Sequence, residues 1–168
     1  MSVWTSSRNY QDDFYLFMRS NLDGSSDYRA KNHANYWKVD VTDLPVGIDW
    51  EVAVTQIETP GCPTGHAGAY RLAHLSCNFI RGSVLVKNST YVPRVVGAKE
   101  LVIMEVFRTD TAYHLYTPNP RTYHPLHKSN LTGVLLFCIT DFTGSAFSFN
   151  AGWTTLKLHF RKKKDDIA

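Results

Sequence analysis

The chain has 168 residues, of which 43% are hydrophobic, 20% charged and 13% aromatic; this is the composition of an ordinary globular domain, not of a disordered or collagenous chain. That length suits one domain, able to bury roughly 70% of its unfolded surface without staples. A net charge of +3 is too small to argue for a nucleic-acid binder by itself.

Cys62, Cys77 and Cys138 are an odd number of cysteines and do not read as a disulfide framework, so a reducing compartment fits best. The opening MSVWTSSRNYQDD lacks the apolar segment of a signal peptide, and no run reaches the ~18 apolar residues of a membrane span.

Residues 1–13 are polar and turn-rich and read as an arm. Phe14 to Ser20 is predicted as a strand, with Phe14, Leu16 and Met18 entering the core and Tyr15 and Phe17 outward. Outward aromatics on such a strand call for cover from another segment or subunit. A loop rich in Gly, Ser, Asn and Asp follows over 21–32.

Asn35 to Glu58 is the best-patterned stretch. Trp37, Val39 and Val41 share one face against Tyr36, Lys38 and Asp40; Trp50, Val52 and Val54 share another against Glu51, Ala53 and Thr55. A period of two with one apolar face is the mark of an antiparallel sheet covered on one side. Pro45 and Gly47 break the pair.

Two Pro and three Gly within 59–68 exclude regular structure there. The pattern then weakens: a strand is expected around Leu75 to Ile80, another over Gly82 to Lys87, a break at Val92-Pro93 and Gly97, and strands over Leu101–Arg108 and Tyr113–Tyr116. Gly133 to Thr140 is continuously apolar, as in a central strand covered on both faces or one facing an interface. Leu156, Leu158 and Phe160 face inward in the last strand, with Lys157, His159 and Arg161 outward. The whole is all-β: a single jelly-roll β-sandwich of two antiparallel sheets, about eight strands, little or no helix. The domain spans 14–161, between the arm and a charged tail at 162–168.

Chemistry is sparse. Cys62-x3-His66 and His74-x2-Cys77 could supply a zinc tetrad, but their inner gap is shorter than a finger requires. His124-x2-His127 sits in a Pro-rich loop without a carboxylate partner. Phosphate-loop, nucleophile-elbow and HExxH motifs are absent. The expectation is a protein with no catalytic residues, no metal and no cofactor. Asn88-Ser-Thr and Asn130-Leu-Thr match the glycosylation acceptor by chance. Arg161-Lys162-Lys163-Lys164, half-cancelled by Asp165 and Asp166, reads first as a solvated tail and alternatively as a contact to nucleic acid.

Three stretches carry a family resemblance: Phe14–Asn21 (FYLFMRSN), 32–60 with its Leu-Pro and Trp-Glu-Val-Ala, and 149–161 ending Leu-His-Phe-Arg. They resemble the penton, or minor capsid protein, of Polinton/Maverick elements, adintoviruses and virophage-like DNA viruses. The middle, 61–131, matches nothing in that family. The resemblance implies a virion protein without cofactor, assembled inside the host cell. Its homopentamer would plug the five-fold vertices of an icosahedral shell built from a double jelly-roll major capsid protein. Rival readings are the sole coat protein of a small or satellite virus, and a TNF-like or lectin-like jelly-roll binding module. Residues 1–13 hold only Arg8 as a base against Asp12 and Asp13, unlike a genome-binding coat arm. The expected core includes Trp37, Val39, Val41, Trp50, Val52, Val54, Leu156, Leu158 and Phe160; the expected interface includes Tyr15, Phe17, Tyr116 and Tyr123.

Overall fold

Period-two patterning becomes strand wherever it is regular. The computed structural model describes residues 4–5, 13–20, 34–44, 46–47, 49–63, 70–80, 83–86, 94–97, 100–108, 113–127 and 131–164. The loop at 21–32, His66, Asn88 and Asn130 therefore lie outside the described residues, as does most of the expected arm. Among the described residues there are twelve strands: β1 (Trp4–Thr5), β2 (Asp13–Arg19), β3 (Tyr36–Leu44), β4 (Trp50–Pro60), β5 (Tyr70–Cys77), β6 (Ser83–Val86), β7 (Arg94–Gly97), β8 (Val102–Phe107), β9 (Tyr113–Tyr116), β10 (His124–Pro125), β11 (Leu131–Thr140) and β12 (Thr155–Lys162). No helix occurs among the described residues.

The pairing is nested. β5 pairs with β8, β4 with β9 and β10, β3 with β11, and β2 with β12, all antiparallel. That is one long hairpin, rolled so that its two legs divide between two sheets. One sheet runs β1-β2-β12-β4, with β9 and β10 both on the far edge of β4; the other runs β3-β11-β5-β8. This is a jelly-roll-like sandwich of two antiparallel sheets. The β6–β7 hairpin is a separate pair, inserted between β5 and β8 and touching β11 and β5.

Between the sheets the core is a chain of aromatic rings. Trp50 meets Phe14 at 5.7 Å and Phe14 stacks on Phe160 at 5.0 Å. Phe160 then approaches Phe79, Phe79 meets Phe137 edge-on at 5.6 Å, and Phe137 stacks on Trp37 at 5.2 Å. Trp37 Nε1 donates to Met18 Sδ at 3.4 Å, which ties β3 to β2 across the seam. Trp37, Val39, Val41, Trp50, Val52, Val54, Leu156, Leu158 and Phe160 are all buried, each such side chain worth roughly 1.5–3 kcal/mol of transfer free energy.

Two irregularities keep the faces in phase. β4 shifts register against β12 between Lys157 and Leu158, so Thr55 is the extra residue and Val54 and Ile57 both reach the core despite an odd spacing. β11 shifts against β3 between Leu131 and Gly133, where Gly133 takes φ +88°, a backbone conformation that favours glycine.

Several sequence expectations are corrected. The strand expected at Leu75–Ile80 is instead Tyr70–Cys77, and Asn78–Ile80 leave the sheet. Asn78 then pairs sideways with β11, its backbone N donating to Leu136 O at 3.2 Å and its Oδ1 accepting from Leu136 N at 3.0 Å. This turn drops Phe79 into the core. Gly97, expected as part of a break, is instead the last residue of the strand Arg94–Gly97. The arm is not wholly apart from the domain, because Trp4 and Thr5 pair with Phe17 and Leu16. Nor does the domain stop at Arg161: β12 continues through Lys162, and Lys163 N donates to Asp49 O at 2.7 Å.

Candidate functional site

The outer face of the β2-β12-β4 sheet gathers the polar groups of this half of the molecule. β12 alternates Lys157, His159 and Arg161 outward. The pairing sets His159 between Tyr15 on β2 and Ala53 on β4. His124 pairs with Val52, so Tyr123, one position earlier, comes level with Ala53 and reaches over its methyl group. The phenolic oxygen of Tyr123 lies 2.6 Å from His159 Nδ1, and His159 Nε2 lies 3.2 Å from Asp13 Oδ2. With the proton on Nε2, the imidazole donates to Asp13 and accepts from Tyr123.

Rings and cations close over this chain. Tyr15 stacks on the imidazole at 4.5 Å, with Lys157 Nζ 4.7 Å from the Tyr15 centroid. The Arg161 guanidinium lies 3.4 Å from the Tyr123 centroid while its Nε donates to Glu51 Oε1 at 2.6 Å. His159 is only 7% exposed and both its nitrogens are engaged. A nucleophile or general base has to reach the reacting atom, whereas this histidine cross-links β2, β12 and the chain before β10.

The sequence-selected residues therefore divide. Tyr15 and Tyr123 are half-buried in this network, and Tyr116 is half-buried against the core. Phe17 remains exposed at 38%. Of the basic cluster, Arg161 is held by Glu51 and Tyr123, Lys162 ends β12, and Lys164 is exposed.

The zinc spacing does not assemble. Residues three apart on a strand point to opposite faces. Cys77 is therefore buried in the core, while His74 faces outward, with Nδ1 3.2 Å from Glu100 Oε1. Cys62 is buried beside β8, its thiol donating to the Val106 and Phe107 carbonyls. His124 is buried, with Nε2 3.1 Å from Leu101 O. No group of three or more His, Cys, Asp or Glu among the described residues could hold a metal ion. Burial pushes the Cys77 thiol up to about 12, outweighing backbone hydrogen bonds to Phe79 and Ile80, so it stays protonated and unreactive.

A second feature was not selected from the sequence. Leu72, Ile103, Phe107 and Leu115 are each 44–58% exposed and rim one groove of about 340 Å³ between β8 and β9. A smaller pocket of about 300 Å³ continues it past Ile103 towards Glu100, Pro118 and Pro120. The alternation in Leu101–Arg108 could have exposed this: Met104 and Val106 take the inner face, which forces Ile103 and Phe107 outward.

The fold thus defines a jelly-roll-like sandwich with an aromatic polar network on one face and an apolar groove at one edge. Compared with known proteins, the chain matches no family model and no curated protein sequence.

Proposed function

We propose that this chain is a structural virion protein, a penton-type minor capsid protein that forms homopentamers at the five-fold vertices of an icosahedral capsid. The observation that supports this most is where the resembling stretches fall. Residues 14–21, 32–60 and 149–161 supply β2, β3, β4 and β12, and β2, β12 and β4 lie side by side in one sheet. Three of the four strands that carry the resemblance are thus neighbours in one sheet, and β3 lies at the edge of the other. The described polar clusters suit a static role: His159, His74 and Arg161 are each tied to a carboxylate within the chain. On this reading the protein acts by assembly, burying surface against copies of itself and against a double jelly-roll major capsid protein, with no cofactor and no catalysis. Any contact to nucleic acid would involve the basic run Arg161, Lys162, Lys163 and Lys164, of which Arg161 is also paired with Glu51.

Mass measurement of the purified protein tests this. A closed pentamer supports the penton. A trimer favours the ligand-like module, and sixty-copy shells favour a sole coat protein. A species that stays monomeric at high concentration over a range of salt removes assembly altogether.

A further inference from the structure

The sandwich has two unlike flanks. At one, β2 lies over β3, with Trp37 bonded to Met18, and the short β1 borders β2 at Leu16 and Phe17. At the other, β8 ends one sheet and β9 lies at the edge of the second. The β8–β9 flank holds the groove described above, rimmed by Leu72, Ile103, Phe107 and Leu115. Four large apolar side chains, each about half exposed, form the kind of patch that marks an interaction site. Edge strands left apolar are also ready to meet another chain.

Charge selects the occupant. Glu105 stands on the groove rim between Ile103 and Phe107. Glu58 pairs with Leu115 across β4 and β9, and Glu100 lines the adjoining pocket. This flank is thus apolar with carboxylates around it. The β2–β3 flank carries two exposed cations, Arg19, which lies 5.1 Å from the Trp153 ring centroid, and Lys38; the Trp37–Met18 contact puts both at the same end. Phe17, 38% exposed, lies on the same face of β2 as Arg19.

We infer that the β8–β9 groove of one copy receives the β2–β3 flank of a second copy of this chain. Phe17 then enters the apolar groove, Lys38 faces Glu105 and Arg19 faces Glu58. The two surfaces differ, so the contact is head-to-tail, and repetition around an axis closes a ring. This rests on the assembly reading above and assigns the surfaces that carry it.

The test compares the wild-type protein with Ile103→Glu, Leu115→Glu, Glu105→Lys and the pair Glu105→Lys/Lys38→Glu, by light-scattering mass over a concentration series. Circular dichroism checks each fold. Ile103 and Leu115 are solvent-facing in the single chain, so their variants are expected to fold and to run as monomers. Glu105→Lys should weaken association about tenfold or more, and the pair should recover most of that loss. Folded variants that keep the wild-type mass overturn this assignment while leaving oligomerisation intact. A charge pair without recovery overturns the registration of Lys38 on Glu105. A wild-type protein that never associates overturns both this inference and the capsid reading.

Discussion

Tyr123 and His159 touch across a strand that neither belongs to. The phenolic oxygen is 2.6 Å from Nδ1, and β4 passes between them. Ala53, 0% exposed, is the β4 residue beneath the contact, and its methyl group leaves the room. Replacing Tyr123 with Phe removes the hydrogen bond but keeps the ring under Arg161, so the expected loss is about 0.5–1.5 kcal/mol by urea unfolding. Ala53→Leu fills the same gap and should cost more, about 1–3 kcal/mol. If Ala53→Leu proved the milder of the two, Tyr123 would not be lying over Ala53.

Phe79 is the link between the two halves of the aromatic chain, touching Phe137 of one sheet and Phe160 of the other. It is fully buried. Phe79→Ala should destabilise by about 3–5 kcal/mol, measured by denaturant or thermal unfolding. Phe17→Ala, on an exposed ring of the same type, should fall within ~0.5 kcal/mol in the monomer. Comparable losses for both would mean that Phe79 does not bridge the sheets.

The core was legible because its strands obey strict alternation. Trp37, Val39 and Val41 announce a face, as do Leu156, Leu158 and Phe160. β5 hid because Ala73 is small and Leu72 is apolar but outward, which blurs the period and shifts the apparent strand onto Phe79 and Ile80. β7 hid between Pro93 and Gly97, two breakers that bracket a short strand as readily as they mark a loop. The surface was harder still. Apolar residues on both faces of an edge strand look like a central strand, so the only sign that Ile103 and Phe107 face outward was the parity they share with Glu105. Tyrosines look like interface residues, yet Tyr15 and Tyr123 are taken up by His159 and by cations from their own chain. The burial of His159 depends on which neighbours lie across β12, and that is a property of register.

Gly152 takes φ +147°, and a Cβ there would run into the Tyr113 hydroxyl and come 3.0 Å from Pro60 Cγ. Gly144 also has positive φ, at +78°, but nothing lies near its missing Cβ. Alanine at 144 therefore carries the backbone cost alone, about 1–2 kcal/mol. Alanine at 152 adds a collision and should cost about 2–4 kcal/mol in total. Thermal unfolding of both variants reads the difference. Tyr113→Phe should partly rescue Gly152→Ala by removing the oxygen it strikes, and no rescue would mean that the hydroxyl is not the source of the cost.

The turn after β11 is built on one carboxylate. Asp141 Oδ1 accepts from Thr143 N at 2.8 Å, Thr143 Oγ1 at 2.5 Å and Ser145 N at 3.1 Å, and Arg71 lies 3.6 Å from Oδ2. Burial alone would raise its pKa, but these hydrogen bonds and the guanidinium outweigh that and hold it below the ordinary value. A carboxyl whose folded pKa is depressed contributes stability that is fully present above its unfolded value, about 3.9, and is lost as pH falls through the folded value. Asp141→Asn keeps an acceptor for the two backbone donors but cannot ionise. The wild type should therefore be the more stable protein at neutral pH, and its advantage should shrink as pH drops below about 4. Urea unfolding of both proteins from neutral pH into acid measures that gap directly. A gap that stayed constant into strong acid would mean that the charge on Asp141, as distinct from its hydrogen bonds, adds nothing to the turn.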